Sequence, residues 1–148
     1  MTSQDHVLRY GVIGVGMMGC EHIRNLQAIE GCTVAAFADT HEPSRKNAQQ
    51  LVAEATSYVD YREMLADEQL DVVVIATPNQ THSAIFEDVI KFDLHVLIEK
   101  PLGINIAECQ KMIASEIQHY RPGRVVWVGL EYRYMAPTNR LIQEVESG

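Results

Sequence analysis

The chain has 148 residues, is 47% hydrophobic and carries a formal net charge of −8. That is enough apolar material for one packed domain, and too acidic a balance for a nucleic-acid surface, which needs a basic face. No apolar run approaches the ~20 residues of a membrane span, so neither a nucleic acid nor a membrane is expected as a partner.

The first predicted strand is the mostly apolar run Val7–Ile13. It leads into Gly14, Gly16 and Gly19, spaced G-x-G-x-x-G, and then a helix from Cys20 to Ile29 with Ile23, Leu26 and Ile29 at near-helical spacing. A second strand, Thr33–Ala38, ends at Asp39, twenty residues past Gly19. The triplet alone is a weak signal, but strand, glycine turn, helix and a second strand ending in an acid together make a dinucleotide fingerprint. Gly14 permits the tight turn, Gly16 lets a pyrophosphate approach the backbone, and Gly19 lets the helix lie close to the sheet. The N–H groups of Gly16, Met17 and Met18 are expected to face phosphate oxygens, aided by the helix dipole. Asp39 is expected to accept from the adenosine ribose hydroxyls and to repel a 2′-phosphate, which selects NAD over NADP. A tight structural turn that binds nothing is the plain alternative.

Pro43 suits the first turn of a helix running to about Ala55, with Ala48, Leu51 and Val52 on its buried side. Thr56–Val59 is a short strand, and Asp60 with Glu63 forms a capping pair that opens a small helix over Tyr61–Leu65. The unbroken run Asp71–Ala76 predicts a strand covered on both faces, as parallel sheets require. A helix over Thr81–Phe92 and a strand over His95–Glu99 follow. Asn105 and Glu108 make another capping pair, and Ile106, Cys109, Ile113 and Ile117 define the face of the next helix. After the Arg121-Pro122-Gly123 turn come a sixth strand, Val125–Leu130, and a last helix, Pro137–Glu146. This alternation predicts an α/β fold: a doubly wound, mainly parallel six-stranded Rossmann sheet of order 3-2-1-4-5-6, with helices on both faces. Ligands on such sheets lie at the carboxyl ends of the strands, where Gly14–Gly19, Asp39, Ala76–Asn79 and Glu99–Lys100 fall.

Cys20, Cys32 and Cys109 contain no C-x-x-C pair, and the six histidines show no metal-ligand spacing. Reduced thiols and no metal are expected. Residues 1–6 lack the charged and apolar regions of a secretion signal, which points to the cytoplasm.

Three stretches taken together carry a resemblance: the glycine turn, D-Y-R-E-M-L-A-D-x-x-L-D-V-V-V-I-A-T-P-N-x-x-H over residues 60–82, and E-K-P-L over residues 99–102. They resemble the glucose–fructose oxidoreductase / inositol dehydrogenase / MocA (Gfo/Idh/MocA) family over nearly the whole chain. The resemblance implies hydride transfer between NAD(H) and a secondary alcohol or ketone of a sugar, cyclitol or polyol. It places Thr77, Pro78 and Asn79 beside the nicotinamide ribose, His82 on the cofactor side of the cleft, and Glu99 on the nicotinamide ribose. Asn79 capping the next helix, and His82 bonded to backbone, are the structural alternatives. Lys100 is the expected catalytic residue, polarising the carbonyl or binding the alcohol, with burial beside the oxidised cofactor favouring proton exchange. The alternative is a solvated Lys100 and a Glu99 merely ion-paired to a neighbour. The family commonly holds the bond matching Lys100–Pro101 in the cis form. Arg133 matches a position near the substrate cleft, although stacking on Tyr132 or Tyr134 would read the same.

Family members continue into a second domain that supplies the substrate pocket, partner groups for proton transfer and usually the oligomer interface. Residues 1–148 are therefore expected to be a Rossmann domain with its core at about 6–130, and 131–148 the start of a connection to an absent substrate domain. Weak NAD binding and little turnover are expected of it alone. An NAD-binding sensor module, or a catalytically incomplete fragment, is the rival reading, and an interaction domain with a vacant crevice a third.

Overall fold

A computed structural model describes residues 7–148; the reading of residues 1–6 and the proposed start of the core at residue 6 lie outside the described residues. Six strands, β1 (Leu8–Ile13), β2 (Cys32–Ala38), β3 (Thr56–Tyr58), β4 (Val72–Ile75), β5 (His95–Glu99) and β6 (Val126–Gly129), form one sheet of order β3-β2-β1-β4-β5-β6. Every neighbouring pair is parallel, as the alternating pattern requires. The helices are α1 (Met17–Gln27), α2 (Glu42–Leu51), α3 (Tyr61–Asp67), α4 (His82–Val89), α5 (Ile106–Gln118) and α6 (Ala136–Ser147). Short 3₁₀ turns at Asn79–Thr81 and Glu131–Tyr134 precede α4 and α6.

Two apolar clusters lie on opposite faces of the sheet, and the strand alternation assigns residues between them. Ile13, Val73, Ile75, Val96 and Ile98 face α3, α4 and α5, whose Met64, Phe86, Val89 and Met112 close that side. Val12, Val74 and Phe37 face α1 and α2, where Ile23, Leu26 and Ala48 meet them. In β2, Val34 and Phe37 share a face although three residues apart. The register explains this: Tyr10 pairs with Val34 and Gly11 with Ala36, so Ala35 is the extra residue of a bulge.

Several boundaries differ from those expected, each for a local reason. Helix α1 starts at Met17, three residues early, because Gly19 packs inside its first turn instead of preceding it. Helix α2 stops at Leu51 because the Gln49 side-chain amide donates to the carbonyls of Val52, Ala53 and Ala55, holding them in a turn. Helix α4 ends at Val89, and the Arg124 guanidinium donates to the carbonyls of Ile90, Phe92 and His119 at the ends of α4 and α5. The face expected to bury α5 is a correction. Ile106, Ile113 and Ile117 are 77%, 55% and 67% exposed, and Met112 is the buried residue. The Asn105–Glu108 pair forms as expected, while Asp60 caps α3 by accepting from the Arg62 N–H and not through Glu63.

Candidate functional site: a cleft at the carboxyl ends of the strands

Strands β1 and β4 are sequence-distant neighbours whose following helices leave in opposite directions, which opens a crevice at their carboxyl ends. A cleft of about 780 Å³ occupies it, lined on one side by Gly14, Gly16, Met17, Met18 and Asp39 and on the other by Thr77, Pro78, Gln80 and Thr81.

The glycine turn is built by contact. Gly14 sits at φ +85°, and a Cβ there would lie 2.7 Å from the Ala76 carbonyl oxygen. A Cβ on Gly19 would overlap the Gly14 carbonyl, so the helix rests directly on the turn. Gly16 is the opposite case: nothing lies within 4 Å of where its Cβ would be. It is the N-cap of α1 and no side chain caps the helix, which leaves the first amides of α1 without a side-chain partner where Met17 and Met18 line the cleft. An uncapped helix start beside open space is a cradle for an anion.

Asp39 is clamped. Its Oδ2 accepts from the Val15 N–H at 2.9 Å and its Oδ1 from the His41 N–H at 2.8 Å, while Arg45 donates to its carbonyl at 2.7 Å. Each carboxylate oxygen keeps capacity for a further donor, and Asp39 lines the cleft. Tyr61, which the sequence did not single out, lines the same end of the cleft. Its hydroxyl donates to Asp88 Oδ2 at 2.8 Å, and burial followed by that carboxylate push its pKa well above the usual tyrosine value.

On the β4 side the arrangement differs from expectation. Thr77 and Pro78 line the cleft, but Asn79 is exposed and caps neither the 3₁₀ turn nor α4. Thr81 holds the N-cap position of α4, but its side chain does not cap the helix: its hydroxyl lies 2.7 Å from the Pro78 carbonyl and 2.8 Å from Thr77 Oγ1. His82 does not line the cleft and takes the backbone-bonded alternative. It is fully buried, with Nδ1 2.9 Å from the Pro101 carbonyl oxygen and Nε2 3.0 Å from that of Thr77, bridging the loops after β5 and β4.

Glu99 is 7% exposed and lies between α1 and β6. Its Oε1 accepts from His22 Nε2 at 2.8 Å and its Oε2 from the Lys100 N–H at 3.2 Å. Lys100 is not buried by residues 7–148: its side chain is 44% exposed, with Nζ 3.9 Å from Glu131 Oε1. The Lys100–Pro101 bond is cis. Arg133 is exposed and does not stack on Tyr134, whose ring lies on Trp127 at 5.7 Å between centroids. Among the described residues no group of three or more His, Cys, Asp or Glu is placed to hold a metal ion.

Residues 8–130 match the family described as an oxidoreductase family with an NAD-binding Rossmann fold. The chain is 31% identical over 143 residues to inositol 2-dehydrogenase of Salmonella typhimurium, covering 95% of this chain and 42% of that enzyme. It is 33% identical over 129 residues to inositol 2-dehydrogenase 1 of Saccharopolyspora erythraea, covering 86% of this chain and 38% of the enzyme. Among solved structures it matches myo-inositol dehydrogenase of Lactobacillus casei in complex with NAD(H) and myo-inositol. That match has a TM-score of 0.87 and 26% identity, over 96% of this chain and 42% of the other. The chain thus spans about two fifths of the length of these relatives. With its parallel sheet of order 3-2-1-4-5-6, its glycine turn and this match over residues 8–130, the chain belongs to the Gfo/Idh/MocA oxidoreductase family as an NAD-binding Rossmann domain.

Proposed function

We propose that residues 1–148 bind NAD(H) across the carboxyl edge of the sheet and form the cofactor half of a dehydrogenase. Its substrate is a cyclitol, sugar or polyol with a secondary alcohol. The observation that carries this reading is the uncapped start of α1, opening onto free space at Gly16. A diphosphate fits there, held by main-chain amides and the helix dipole. The clamped Asp39 accepts from the adenosine ribose hydroxyls and disfavours a 2′-phosphate, so NAD is preferred to NADP. Thr77, Pro78, Asn79 and Glu99 are assigned to the nicotinamide end, and His82 supports that end from beneath by bridging its loops.

When bound, the nicotinamide accepts or supplies the hydride. This chain's own part in the reaction is Lys100, whose ammonium hydrogen-bonds the substrate oxygen and exchanges its proton; Glu131 balances its charge when substrate is absent. Arg133 lies on the same segment and is assigned to the substrate side. Residues 131–148 lead toward a substrate domain, a role supported by α6, in which no residue is buried. That domain supplies the remaining substrate contacts and any oligomer interface. Neither nucleic acid nor membrane is a partner. A cytoplasmic setting is supported by three free cysteines. Lys100, which nucleotide binding does not need, favours a dehydrogenase over an NAD-sensing module.

The test is a fluorescence titration of NADH with the protein. Enhanced or shifted nicotinamide emission that saturates below millimolar cofactor is expected, with NADP(H) binding more weakly. No change up to millimolar NADH overturns the proposal.

A further inference from the structure

We propose that His22 is a positioning residue: through Glu99 it ties the phosphate-facing helix to the main chain of Lys100. The inference rests on the NAD reading above and adds to it a coupling between the two halves of the cleft.

A carboxylate taken out of water must be paired or hydrogen-bonded. Glu99 stands at the end of β5, almost wholly buried, and both of its oxygens are engaged. One accepts from His22 Nε2 at 2.8 Å, the other from the amide of Lys100 at 3.2 Å. The side toward β6 is closed, because even a Cβ on Gly129 would stand 3.3 Å from Glu99 Oε1. The carboxylate therefore has little freedom to leave either partner.

His22 lies one turn beyond Gly19, the residue whose missing side chain lets α1 rest on the Gly14 carbonyl. The reach from His22 to Glu99 is thus set by the same backbone contact that shapes the glycine turn. Moving the helix start moves the donor, and with it the acceptor that orients the Lys100 amide. Because the carboxylate accepts a hydrogen bond from Nε2, it also fixes that nitrogen as one that carries a proton. The device gives the site one rigid path from the diphosphate end to the lysine.

The experiment compares ADP and NADH binding, together with solvent exchange of the Lys100 amide by NMR, in the unsubstituted protein, His22→Gln and His22→Leu. Glutamine places a side-chain N–H donor near the same position; leucine keeps bulk and removes the donor. In His22→Leu we expect NADH to bind about tenfold more weakly, the loss of one charge-assisted hydrogen bond's worth of positioning. ADP, which lacks the nicotinamide half, should bind within about twofold of the parent. The Lys100 amide should exchange faster in His22→Leu, and His22→Gln should recover most of both effects. Should His22→Leu fail to fold, the double variant His22→Leu/Glu99→Gln removes the stranded charge and is compared with Glu99→Gln alone, against which it is expected to show weaker NADH binding and faster Lys100 exchange. Equal weakening of ADP and NADH, or an unchanged Lys100 amide, overturns the proposal. If neither ADP nor NADH binds the unsubstituted protein, the NAD reading is what fails, and the Lys100 amide still decides whether His22 acts through Glu99.

Discussion

Helices α1 and α5 are similar in length, 11 and 13 residues, yet are held in different ways. Helix α1 buries Gly19, Cys20, Ile23 and Leu26, whereas α5 buries Met112 alone and α6 nothing. The strands repeat the contrast. All four residues of β4 are buried; in β6, Val126 and Val128 pack on the core while Trp127, on the other face, stays 43% exposed under the Tyr134 ring. Apolar composition does not separate the two regions, since α5 carries Ile106, Ile113 and Ile117 besides Met112. Coverage does: β1 and β4 have neighbours on both sides and helices on both faces, and β6 is an edge. The centre of the sheet is packed on both faces beside the cleft, whereas the β6 end leaves apolar side chains exposed.

The sharpest break of that contrast is Gly19→Ala. The new methyl meets backbone, not a movable side chain, so a loss of about 3 kcal/mol or more in urea denaturation is expected, with loss of NADH binding. Gly16→Ala is its control. With open space around it, stability should change by less than about 1 kcal/mol while NADH affinity still falls about tenfold. At the other end, Met112→Ala should cost about 3 kcal/mol and Ile113→Ala within about 0.5 kcal/mol, measured by the same denaturation. An equal cost for the two would mean that the exposed stripe is covered in solution.

Asp39→Ala should weaken NAD(H) about tenfold and narrow the preference over NADP(H), read by parallel titrations. The smallest effect concerns the Asp88 cluster. Burial pushes its carboxyl up, but hydrogen bonds from Lys91 and Tyr61 and the charges of Lys91 and Arg62 outweigh that and hold its pKa below the usual value. A lowered folded-state pKa means stability that is present above the unfolded value near about 3.9 and lost as pH falls through the folded one. Asp88→Asn should cost about 0.5–1 kcal/mol at pH 7, because Arg62 and Lys91 are largely solvated, and the gap to the parent should close below about pH 4.

Strand order and the glycine turn were legible because they rest on local signals: β-branched runs, a glycine spacing, an acid at a strand end. The Asp60 and Asn105 caps were legible for the same reason. The face of α5 was misread since Ile106, Ile113 and Ile117 satisfy the helical period as well as a core face would; only the position of β6 at an edge decides that Met112 goes inward. His22 left no trace, because its partner Glu99 is 77 residues away. For His82 the backbone-bonded alternative is the one the structure takes; only the identity of its partners, carbonyls of two loops that meet after folding, was hidden. Asn79 failed as a cap because the chain enters α4 through a 3₁₀ turn, where the Thr81 hydroxyl folds back onto Pro78.

The pairing of β1 with β4 joins Tyr10 to Val72 and Ile13 to Ile75. During synthesis one edge of β1 therefore waits for about sixty further residues before its central partner emerges, and non-local parallel pairing of this kind is slow. Until then the Tyr10–Ile13 edge is an open template for a strand from another chain. The yield of folded protein should consequently depend on how quickly β4 is delivered, so slowing translation between β2 and β4 should lower it and a holdase chaperone that covers the waiting edge should raise it.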